Sequence, residues 1–215
     1  KRATCFQFGK DFVVDDHDEE LSLNPKKLLL PQTFNFRFRK HEFKKLTIKT
    51  VGTYQIKNSS TAVAVALYLS EEYGAINENS ICEGLKNTRI PCRMELMQKS
   101  PQIILDAAHN FQSIQSLVEN TRLFFTYNRL IVLLGILDDK DYKKVIKLLS
   151  SEADIFILTE PKSERALSSR LLEKEALAFE TETFVEKEIS KALIKAKEVA
   201  DKNDLILITG SFYTV

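Results

Sequence analysis

The segment PQIILDAAHNFQSIQSL, residues 101–117, carries side chains whose types and spacing could do chemistry. An apolar run ends in Asp106, two alanines follow, and then come His109 and Asn110, which opens a helix-like pattern. A carboxylate in this position can accept hydrogen bonds from sugar hydroxyls. An imidazole beside the first amides of a helix can approach phosphate or carboxylate oxygens. The small alanines keep side-chain bulk out of the turn, so a ligand can lie against the backbone there.

The same segment also has a purely structural interpretation. Asp106 or Asn110 would cap the helix, and His109 would be an ordinary surface histidine. Because Asp and Asn are common helix caps, the local pattern alone favours a cap over a binding site.

Several well-known catalytic motifs are absent from the sequence. The six glycines are too far apart to form the G-x-G-x-x-G or G-x-x-x-x-G-K-[ST] loops that wrap phosphates. The three histidines do not form H-E-x-x-H, and there is no G-x-S-x-G nucleophile turn. The chain therefore has no phosphate cradle of those types, and a self-contained hydrolase or dehydrogenase is disfavoured.

Composition and charge are those of an ordinary soluble globular protein, with 44% apolar and 28% charged residues. A formal charge of +1 predicts no broad attraction to nucleic acid or acidic membranes. No signal peptide is recognisable, and no apolar run approaches the roughly 20 residues that span a bilayer. Three cysteines without a C-x-x-C pair indicate reduced, mostly buried thiols in a cytoplasmic protein.

After Pro91 the sequence alternates between short apolar runs and amphipathic stretches. The apolar runs are IILDA, RLIVLLGI, DIFILT and DLILITG, and between them lie FQSIQSLVENTRLFF, DYKKVIKLL and ISKALIKAKEVA. This alternation predicts an α/β domain: a Rossmann-like, mainly parallel sheet with helices on both faces. Ligands bind beyond the carboxyl ends of the strands in such sheets, and Asp106 follows one of those ends.

The part before Pro91 has a different character. ATCFQFG, TFNFRFRK and FKKLTIKTVG predict a small antiparallel sheet, in which the period of two places three phenylalanines on one face. A helix is expected from the residues Asn58–Ser60 to Gly74, and a second one over ENSICEGLKN. The acidic segment VVDDHDEELSLNPKK is expected to be a polar loop. The change of character predicts two domains, residues 1–90 and residues 91–215.

Five ordered segments resemble the folylpolyglutamate synthases and dihydrofolate synthases, members of the Mur ligase superfamily. RIPCRMELMQKSPQIILDAAHN resembles the family pattern W-P-G-R-x-E followed by D-G-A-H-N, and TVGTYQIKNSSTAVAVALYL resembles G-x-H-Q-x-x-N-A-A-x-A. VLLGILDDKDYKKVIKLL, ILTEPKSERAL and ITGSFYTV are similar to G-x-x-x-D-K-D, T-x-P-x-S-P-R-A-L and G-S-L-Y-x-V. The resemblance implies that residues 91–215 are the C-terminal domain of a Mur ligase and that residues 1–90 are the last part of its central domain.

The resemblance also implies roles for individual residues. Asn58 matches the asparagine that contacts adenine, and Arg93 matches the arginine that reaches the phosphates. Asp106 matches the aspartate that holds the ribose hydroxyls. His109 matches a histidine near the phosphates and the glutamate, and is the catalytic candidate. Ser211 resembles a serine that lines the pocket for the incoming glutamate.

Each of these roles has a structural alternative. Asn58 could be a plain helix cap, Arg93 a surface salt-bridge residue, and Ser211 part of a strand-end turn. Residues 138–141, DDKD, are better explained by a loop and a helix start than by a metal site. Arg165 could add positive charge beyond the carboxyl ends of the strands, where a ligand is expected.

Some residues depart from the family pattern. Cys92 and Ala107 stand where the family has glycine, Tyr54 where it has histidine, and Ile90 where it has tryptophan. Because of these departures, the family pattern does not predict the shape of the adenine pocket in this chain.

The function implied by the resemblance is ATP-dependent addition of glutamate to a folate through an acyl phosphate, with Mg²⁺ as cofactor. The partners would be ATP, L-glutamate, tetrahydrofolate or dihydropteroate, and the missing N-terminal half of the ligase. That half would carry the phosphate-binding loop and the metal ligands, so this piece alone is expected to be inactive. The alternatives are a non-catalytic interaction module derived from a Mur ligase, and a fragment of a cell-wall peptide ligase.

Overall fold

The structure is a computed structural model that describes residues 4–15, 31–74 and 76–215. It divides into two compact units, Lys1–Ile90 and Pro91–Val215, which are called the N-terminal unit and the C-terminal unit below. Within the described residues, no helix combines the length and the apolar character that crossing a bilayer requires.

The N-terminal unit is built from a small antiparallel sheet and two helices. Its elements are β1 (Phe12–Asp15), β2 (Gln32–Phe38), β3 (His41–Ile48), α1 (Thr53–Tyr73) and α2 (Glu78–Asn87). The strand order is β1-β2-β3. Phe34, Phe36 and Phe38 of β2 all lie in the core of this unit, while Asn35 and Arg37 alternate with them. The predicted antiparallel sheet with one phenylalanine face is confirmed, and α2 has the predicted bounds.

Two predictions for this unit are wrong, and a third lies mostly outside the described residues. The first, a strand over ATCFQFG, fails because a turn at Gly9 (φ 81°) ends the segment, which makes only a single bridge between Phe8 and Phe12. The second, a helix start at Asn58–Ser60, is also wrong. The acidic loop falls mostly within residues 16–30, outside the described part of the chain. Its first three residues, Val13 to Asp15, belong to β1, so the loop prediction is wrong for them.

Helix α1 begins five residues earlier than predicted, at Thr53, and its N-cap is Gly52. Gln55 and Ile56 are buried there, so packing extends the helix through a stretch that lacks a helix breaker. The predicted end is confirmed: Gly74 is left-handed (φ 68°), and its N–H donates to the Ser70 carbonyl at 2.7 Å.

The C-terminal unit contains a six-stranded sheet and four helices. Its strands are β4 (Glu95–Lys99), β5 (Gln102–Leu105), β6 (Leu130–Leu134), β7 (Ile155–Leu158), β8 (Glu182–Val185) and β9 (Leu205–Thr209). Its helices are α3 (Phe111–Phe124), α4 (Tyr142–Ser150), α5 (Ser169–Ala176) and α6 (Ile189–Val199). The strand order is β4-β5-β9-β6-β7-β8, and only β4 is antiparallel to its neighbour. The predicted, mainly parallel α/β sheet is confirmed, and it gains β4, α5 and β8, which the sequence analysis did not predict.

The helices cover both faces of this sheet, as predicted. Every residue of β6, β7 and β9 is buried, which requires cover on both sides. Right-handed connections through α3, α4 and α5 all move along the sheet in one direction, so these helices share a face. The connection through α6 returns in the opposite direction and lies on the other face, where Ala192 and Ala196 pack against Ile131, Ile157 and Ile206.

The cysteines differ from the prediction of mostly buried thiols. Cys5 is exposed, Cys82 and Cys92 are only partly buried, and none of the three forms a disulfide. Cys82 lies in α2 and packs against the edge of the N-terminal core, whereas Cys5 and Cys92 lie outside helices and strands. Burial and the neighbouring Glu95 carboxylate raise the pKa of the Cys92 thiol, so that side chain is a neutral, poor nucleophile at neutral pH.

Candidate functional site

Three neighbouring strands end at one edge of the six-stranded sheet. Asp106 follows β5, Gly210 follows β9 and Gly135 follows β6, and the three parallel strands lie side by side. The ends are tied together by backbone bonds, since Gly210 N–H donates to the Ala108 carbonyl at 2.9 Å and Gly135 N–H donates to the Thr209 carbonyl at 3.2 Å. We call this region the carboxyl edge.

Asp106 fastens the loop after β5 to the segment before β4. It is 4% exposed, and its Oδ2 accepts from the Met94 N–H at 2.9 Å while its Oδ1 accepts from the Ala108 N–H at 2.8 Å. Asp106 therefore does not cap α3; it shapes the loop, and its predicted contact with ribose stays a prediction.

Asn110 caps α3, so this half of the structural alternative is confirmed. Its Oδ1 accepts from the Ser113 N–H at 2.8 Å, and Ser113 Oγ accepts from the Asn110 N–H at 3.1 Å. The reciprocal pair is a capping box. The His109 N–H also donates to Ser113 Oγ, at 3.1 Å, so the cap fixes the backbone that carries the histidine.

The ring of His109 is oriented by its own loop. Its Nδ1 lies 2.9 Å from the Ala107 carbonyl oxygen. A carbonyl oxygen only accepts, so Nδ1 carries the proton and Nε2 is the nitrogen available for an incoming group. Among the described residues, nothing hydrogen-bonds to Nε2. The imidazole can therefore accept a proton or, once protonated, face an anion.

The two alanines of the loop pack against protein. Ala107 and Ala108 are both buried, and the Ala107 N–H donates to the Cys92 carbonyl at 3.0 Å. Their small size allows close packing of the loop, and the approach of a ligand to the backbone there stays a prediction.

Arg93 extends from a tight turn beside Asp106. The residues on either side of it, Cys92 and Met94, have left-handed backbone angles (φ 55° and 47°). Its guanidinium carbon lies 4.9 Å from the centre of the Phe212 ring, and its Nη1 donates to the Cys92 carbonyl at 3.3 Å. None of the ion pairs in the described part of the chain includes Arg93. The salt-bridge alternative therefore has no partner there.

Phe212 is the residue of this edge that the sequence analysis missed. Its ring is 56% exposed and lies 6.4 Å, centre to centre, from the ring of His109. It also stacks on Arg93, so one aromatic ring contacts both candidate functional side chains. The available signal was a large aromatic residue placed directly after the glycine and serine that end the last strand.

Ser211 is held inside a terminal turn. It is buried; its Oγ lies 2.8 Å from the Thr214 Oγ1 and accepts from the Tyr213 N–H at 3.2 Å. The Thr214 hydroxyl in turn donates to the Gly135 carbonyl at 2.8 Å. The strand-end turn is confirmed, and the predicted contact of Ser211 with glutamate stays a prediction.

The DDKD segment forms a loop and a helix start, as expected. Asp141 Oδ1 accepts from the Lys144 N–H at 3.4 Å and caps α4. Asp139 pairs with Lys140 at 2.9 Å and with Arg165 at 3.5 Å, and the hydrogen bond from Lys140 lowers its pKa. The positive charge of Arg165 is therefore shared with an acidic neighbour. Within the described residues, no group of three or more His, Cys, Asp or Glu side chains could hold a metal ion.

A partly buried acidic group, Glu160, follows the end of β7. Glu160 accepts from the Ser169 N–H at 3.2 Å and the Ser169 hydroxyl at 3.0 Å, and Lys187 Nζ lies 3.2 Å away. Burial raises the pKa of Glu160, but these donors outweigh it and the pKa lies below its ordinary value. All of its partners are structural, so Glu160 secures α5 to the sheet.

Asn58, the predicted adenine contact, belongs to the N-terminal unit. It lies in the second turn of α1 and is exposed, so it is not a helix cap. Arg93, Asp106, His109 and Ser211 all belong to the C-terminal unit. The structure thus brings four of the five predicted site residues to one edge, and Asn58 stays a separate prediction.

The profile of one protein family matches most of the C-terminal unit: Mur ligase, glutamate ligase domain, over residues 92–212. A curated relative is the dihydrofolate synthase/folylpolyglutamate synthase of Bacillus subtilis, 27% identical, with 93% of this chain and 46% of the relative covered. The solved structure of Mycobacterium tuberculosis folylpolyglutamate synthase complexed with ADP has a TM-score of 0.80 at 21% identity, covering 96% of this chain and 46% of that one.

A further similar structure is a bifunctional folylpolyglutamate synthase/dihydrofolate synthase with Mn, AMPPNP and L-glutamate bound. Its TM-score is 0.75 at 22% identity, and the match covers 98% of this chain and 45% of that chain. These two structural matches support the fold. The chain spans about half the length of the curated relative and of both solved structures.

Proposed function

Because the chain belongs to the Mur ligase family through its glutamate ligase domain, we propose that it is the carboxyl-terminal part of an ATP-dependent folylpolyglutamate synthase. In the proposed reaction, a folate carboxylate attacks the γ-phosphate of ATP, and ADP leaves. The amine of glutamate then attacks the carbonyl of the acyl phosphate, phosphate leaves, and an amide bond forms. Tetrahydrofolate is the proposed acceptor, and dihydropteroate is the acceptor of the related dihydrofolate synthase reaction.

The observation that carries the proposal is the set of groups at the carboxyl edge. Arg93 has no acidic partner among the described residues, and the His109 Nε2 accepts no hydrogen bond there. Phosphoryl transfer depends on positioned cations that neutralise charge on phosphate oxygens. A guanidinium without an acidic partner suits that task, because it can bind two oxygens at once.

Asp106 is proposed to accept a hydrogen bond from the ribose, and Asn58 to contact the adenine. Ser211 is proposed to line the glutamate pocket. The divalent cation that such a reaction requires is not assigned to this chain, since its described residues offer no suitable cluster. The roles proposed for the residues of this chain do not depend on a bound metal. A cytoplasmic location is also proposed, supported by three cysteines that form no disulfide.

The test is incorporation of labelled glutamate into tetrahydrofolate by the complete polypeptide that contains this sequence, with Arg93→Lys as the variant. We expect an increase in the KM for ATP of about tenfold, because one ammonium cannot replace a two-pronged contact. The control is Arg122→Lys in the last turn of α3, where the arginine pairs with Glu152. No glutamate incorporation, or equal KM values for ATP in the two variants, would contradict the proposal.

A substitution of Asp106 tests the ribose contact separately. Asp106→Asn keeps one acceptor for the loop but removes the charge, so the KM for ATP is expected to rise about tenfold, the value for a charged hydrogen bond of about 1.4 kcal/mol. The melting temperature is measured alongside, because this side chain also holds the loop. An unchanged KM for ATP would remove Asp106 from the nucleotide site.

A further inference from the structure

Phe212 contacts two groups that the proposed reaction needs. Its ring lies 4.9 Å from the guanidinium carbon of Arg93 and 6.4 Å from the centre of the His109 ring. Yet the ring is 56% exposed, so it contributes little to the core. A single exposed phenylalanine is not unusual in itself; what distinguishes Phe212 is that it contacts both Arg93 and His109.

The contact with Arg93 places its guanidinium carbon over the face of the Phe212 ring. A guanidinium carries five N–H donors in its plane, and stacking on an aromatic ring leaves that edge open to oxygens. An ion pair with a carboxylate would instead occupy the edge. Phe212 can therefore restrain the flexible arginine without consuming the donors that bind an anion.

The backbone of Phe212 is fixed to the loop that carries His109. Gly210 N–H donates to the Ala108 carbonyl at 2.9 Å, and Ser211 and Thr214 bond to each other across the turn. The position of the ring is thus set by the same contacts that set the loop. One rigid turn can then control the spacing of the arginine and the histidine.

We propose that Phe212 is a positioning residue that holds the Arg93 guanidinium by its face beside His109, so that the N–H edge of Arg93 is presented to a phosphate-class anion. The role of Arg93 toward phosphate rests on the proposed function. The stacking itself does not, and it can be measured independently.

The experiment uses the whole chain with inorganic pyrophosphate as the probe. The variants are Phe212→Leu, which removes the π face, and Phe212→Tyr, which keeps it. Tyr213→Leu is the matched control, because Tyr213 is the adjacent residue and its side chain is 52% exposed. The two measurements are the NMR shift of the Arg93 Nε–H group, which a stacked ring displaces, and the dissociation constant for pyrophosphate.

We expect Phe212→Leu to abolish the ring-induced shift and to weaken pyrophosphate binding about two- to five-fold, the range for an exposed cation–π contact. Phe212→Tyr restores both values, Tyr213→Leu changes neither, and the melting temperature is unchanged in all three. A merely structural role would lower the melting temperature instead.

The inference is overturned if the unsubstituted chain shows no ring-induced shift at Arg93, or if the chain binds pyrophosphate through Arg93 and Phe212→Leu removes the shift without weakening that binding. Failure of the proposed function has a different signature. In that case Arg93→Ala binds pyrophosphate as the unsubstituted chain does, or neither binds it, while the ring-induced shift and its loss in Phe212→Leu persist.

Discussion

The two ends of the six-stranded sheet are stabilised by different means. At the amino ends of β6 and β9, charged side chains are paired with each other and with the backbone. At the carboxyl edge, backbone contacts hold the loops together, and Arg93 makes no ion pair in the described part of the chain. The amino ends of β6 and β9 are therefore held by an ion pair, whereas the carboxyl edge is held by backbone contacts and by the Asp106 carboxylate, which accepts from two backbone N–H groups.

The amino end centres on Asp204, which is 1% exposed. Its carboxylate accepts from the Arg129 guanidinium at 2.6 and 3.0 Å, from the Arg129 N–H at 3.1 Å and from the Asp201 N–H at 2.9 Å. Burial raises the pKa of Asp204, but these donors outweigh burial and hold its pKa below the ordinary value. The hydrogen bond to Asp204 likewise raises the pKa of Arg129.

The carboxyl edge depends on backbone geometry instead. Gly210 (φ 107°) approaches Gly135 so closely that an added Cβ would lie 2.4 Å from the Gly135 carbonyl oxygen. Cys92 and Met94 adopt left-handed angles in the turn that carries Arg93. The carboxyl edge is thus ordered without an ion pair to Arg93 in the described part of the chain. This contrast leads to predictions at both ends.

The largest effect on stability is expected at the amino end. Asp204→Ala leaves the Arg129 guanidinium and two backbone N–H groups without their buried acceptor, so the free energy of unfolding falls by about 3 kcal/mol. Urea unfolding followed by circular dichroism measures it. Asp201→Ala is the control: this carboxylate also pairs with Arg129 but is exposed, and it should change stability by less than about 0.5 kcal/mol. Equal losses of unfolding free energy in Asp204→Ala and Asp201→Ala would contradict a stabilising role for the buried hydrogen bonds of Asp204.

The same group predicts a pH dependence. The folded-state pKa of Asp204 lies below the ordinary value of 3.8. Its contribution to stability is therefore complete above that value and is lost as the pH falls through the folded-state pKa. The difference in unfolding free energy between the unsubstituted chain and Asp204→Asn should narrow below about pH 4. A difference that stays constant from pH 7 to pH 3 would show that the charge of Asp204 is not what stabilises this end.

The second largest loss of stability is expected at the carboxyl edge, where one added methyl group has no room. Gly210→Ala places a Cβ against the Gly135 backbone and the Leu134 side chain at an unfavourable φ, so the free energy of unfolding should fall by about 2 kcal/mol. The loss should not depend on pH, because no charge is involved. Gly84→Ala is the control: Gly84 lies inside α2 with open space around it, and alanine there should stabilise by about 0.5–1 kcal/mol. A pH-dependent loss in Gly210→Ala would contradict the contrast between the two ends.

The sequence predicted most of this architecture because hydrophobic periodicity is a local signal. The phenylalanines of β2 and the apolar runs of β6, β7 and β9 could be located from period and length alone. Strands β4 and β8 were missed because they lie at the edges of the sheet and are only partly buried, so their patterns are weak. The early start of α1 was missed because packing, not a cap residue, decides it.

The sequence predicts which residues lie at the carboxyl edge better than it predicts the contacts that they make there. Residue type and order single out Asp106 and His109, and the family resemblance singles out Arg93. The three lie at one edge, and their binding roles stay predictions. That Asp106 bonds the Met94 N–H, or that Phe212 stacks on Arg93, depends on the meeting of segments far apart in the chain. No local pattern encodes such contacts.

A smaller change in stability, this time an increase, is expected from a substitution of Cys92, where the family pattern has glycine. The left-handed angle (φ 55°) is costly for any residue with a Cβ, so Cys92→Gly should raise the free energy of unfolding by about 1 kcal/mol. Met94→Gly is the control, since Met94 has a similar angle (φ 47°) but is buried. Loss of its side chain should dominate and destabilise by about 3 kcal/mol. The same sign in both variants would show that backbone strain does not decide stability in this turn.

The smallest effect on stability is expected for Arg93→Ala, about 0.5 kcal/mol by urea unfolding, because the arginine makes one long hydrogen bond and one exposed ring contact. If the edge keeps this charge for a ligand, the variant should nevertheless bind pyrophosphate about tenfold more weakly, the loss expected for one charge-assisted contact. At the amino end the opposite pattern is expected, since Asp204→Ala should lower stability and leave pyrophosphate binding unchanged. A fall in the free energy of unfolding of about 2 kcal/mol or more in Arg93→Ala would make the arginine a structural residue. Both ends of the sheet would then use a charged side chain for stability.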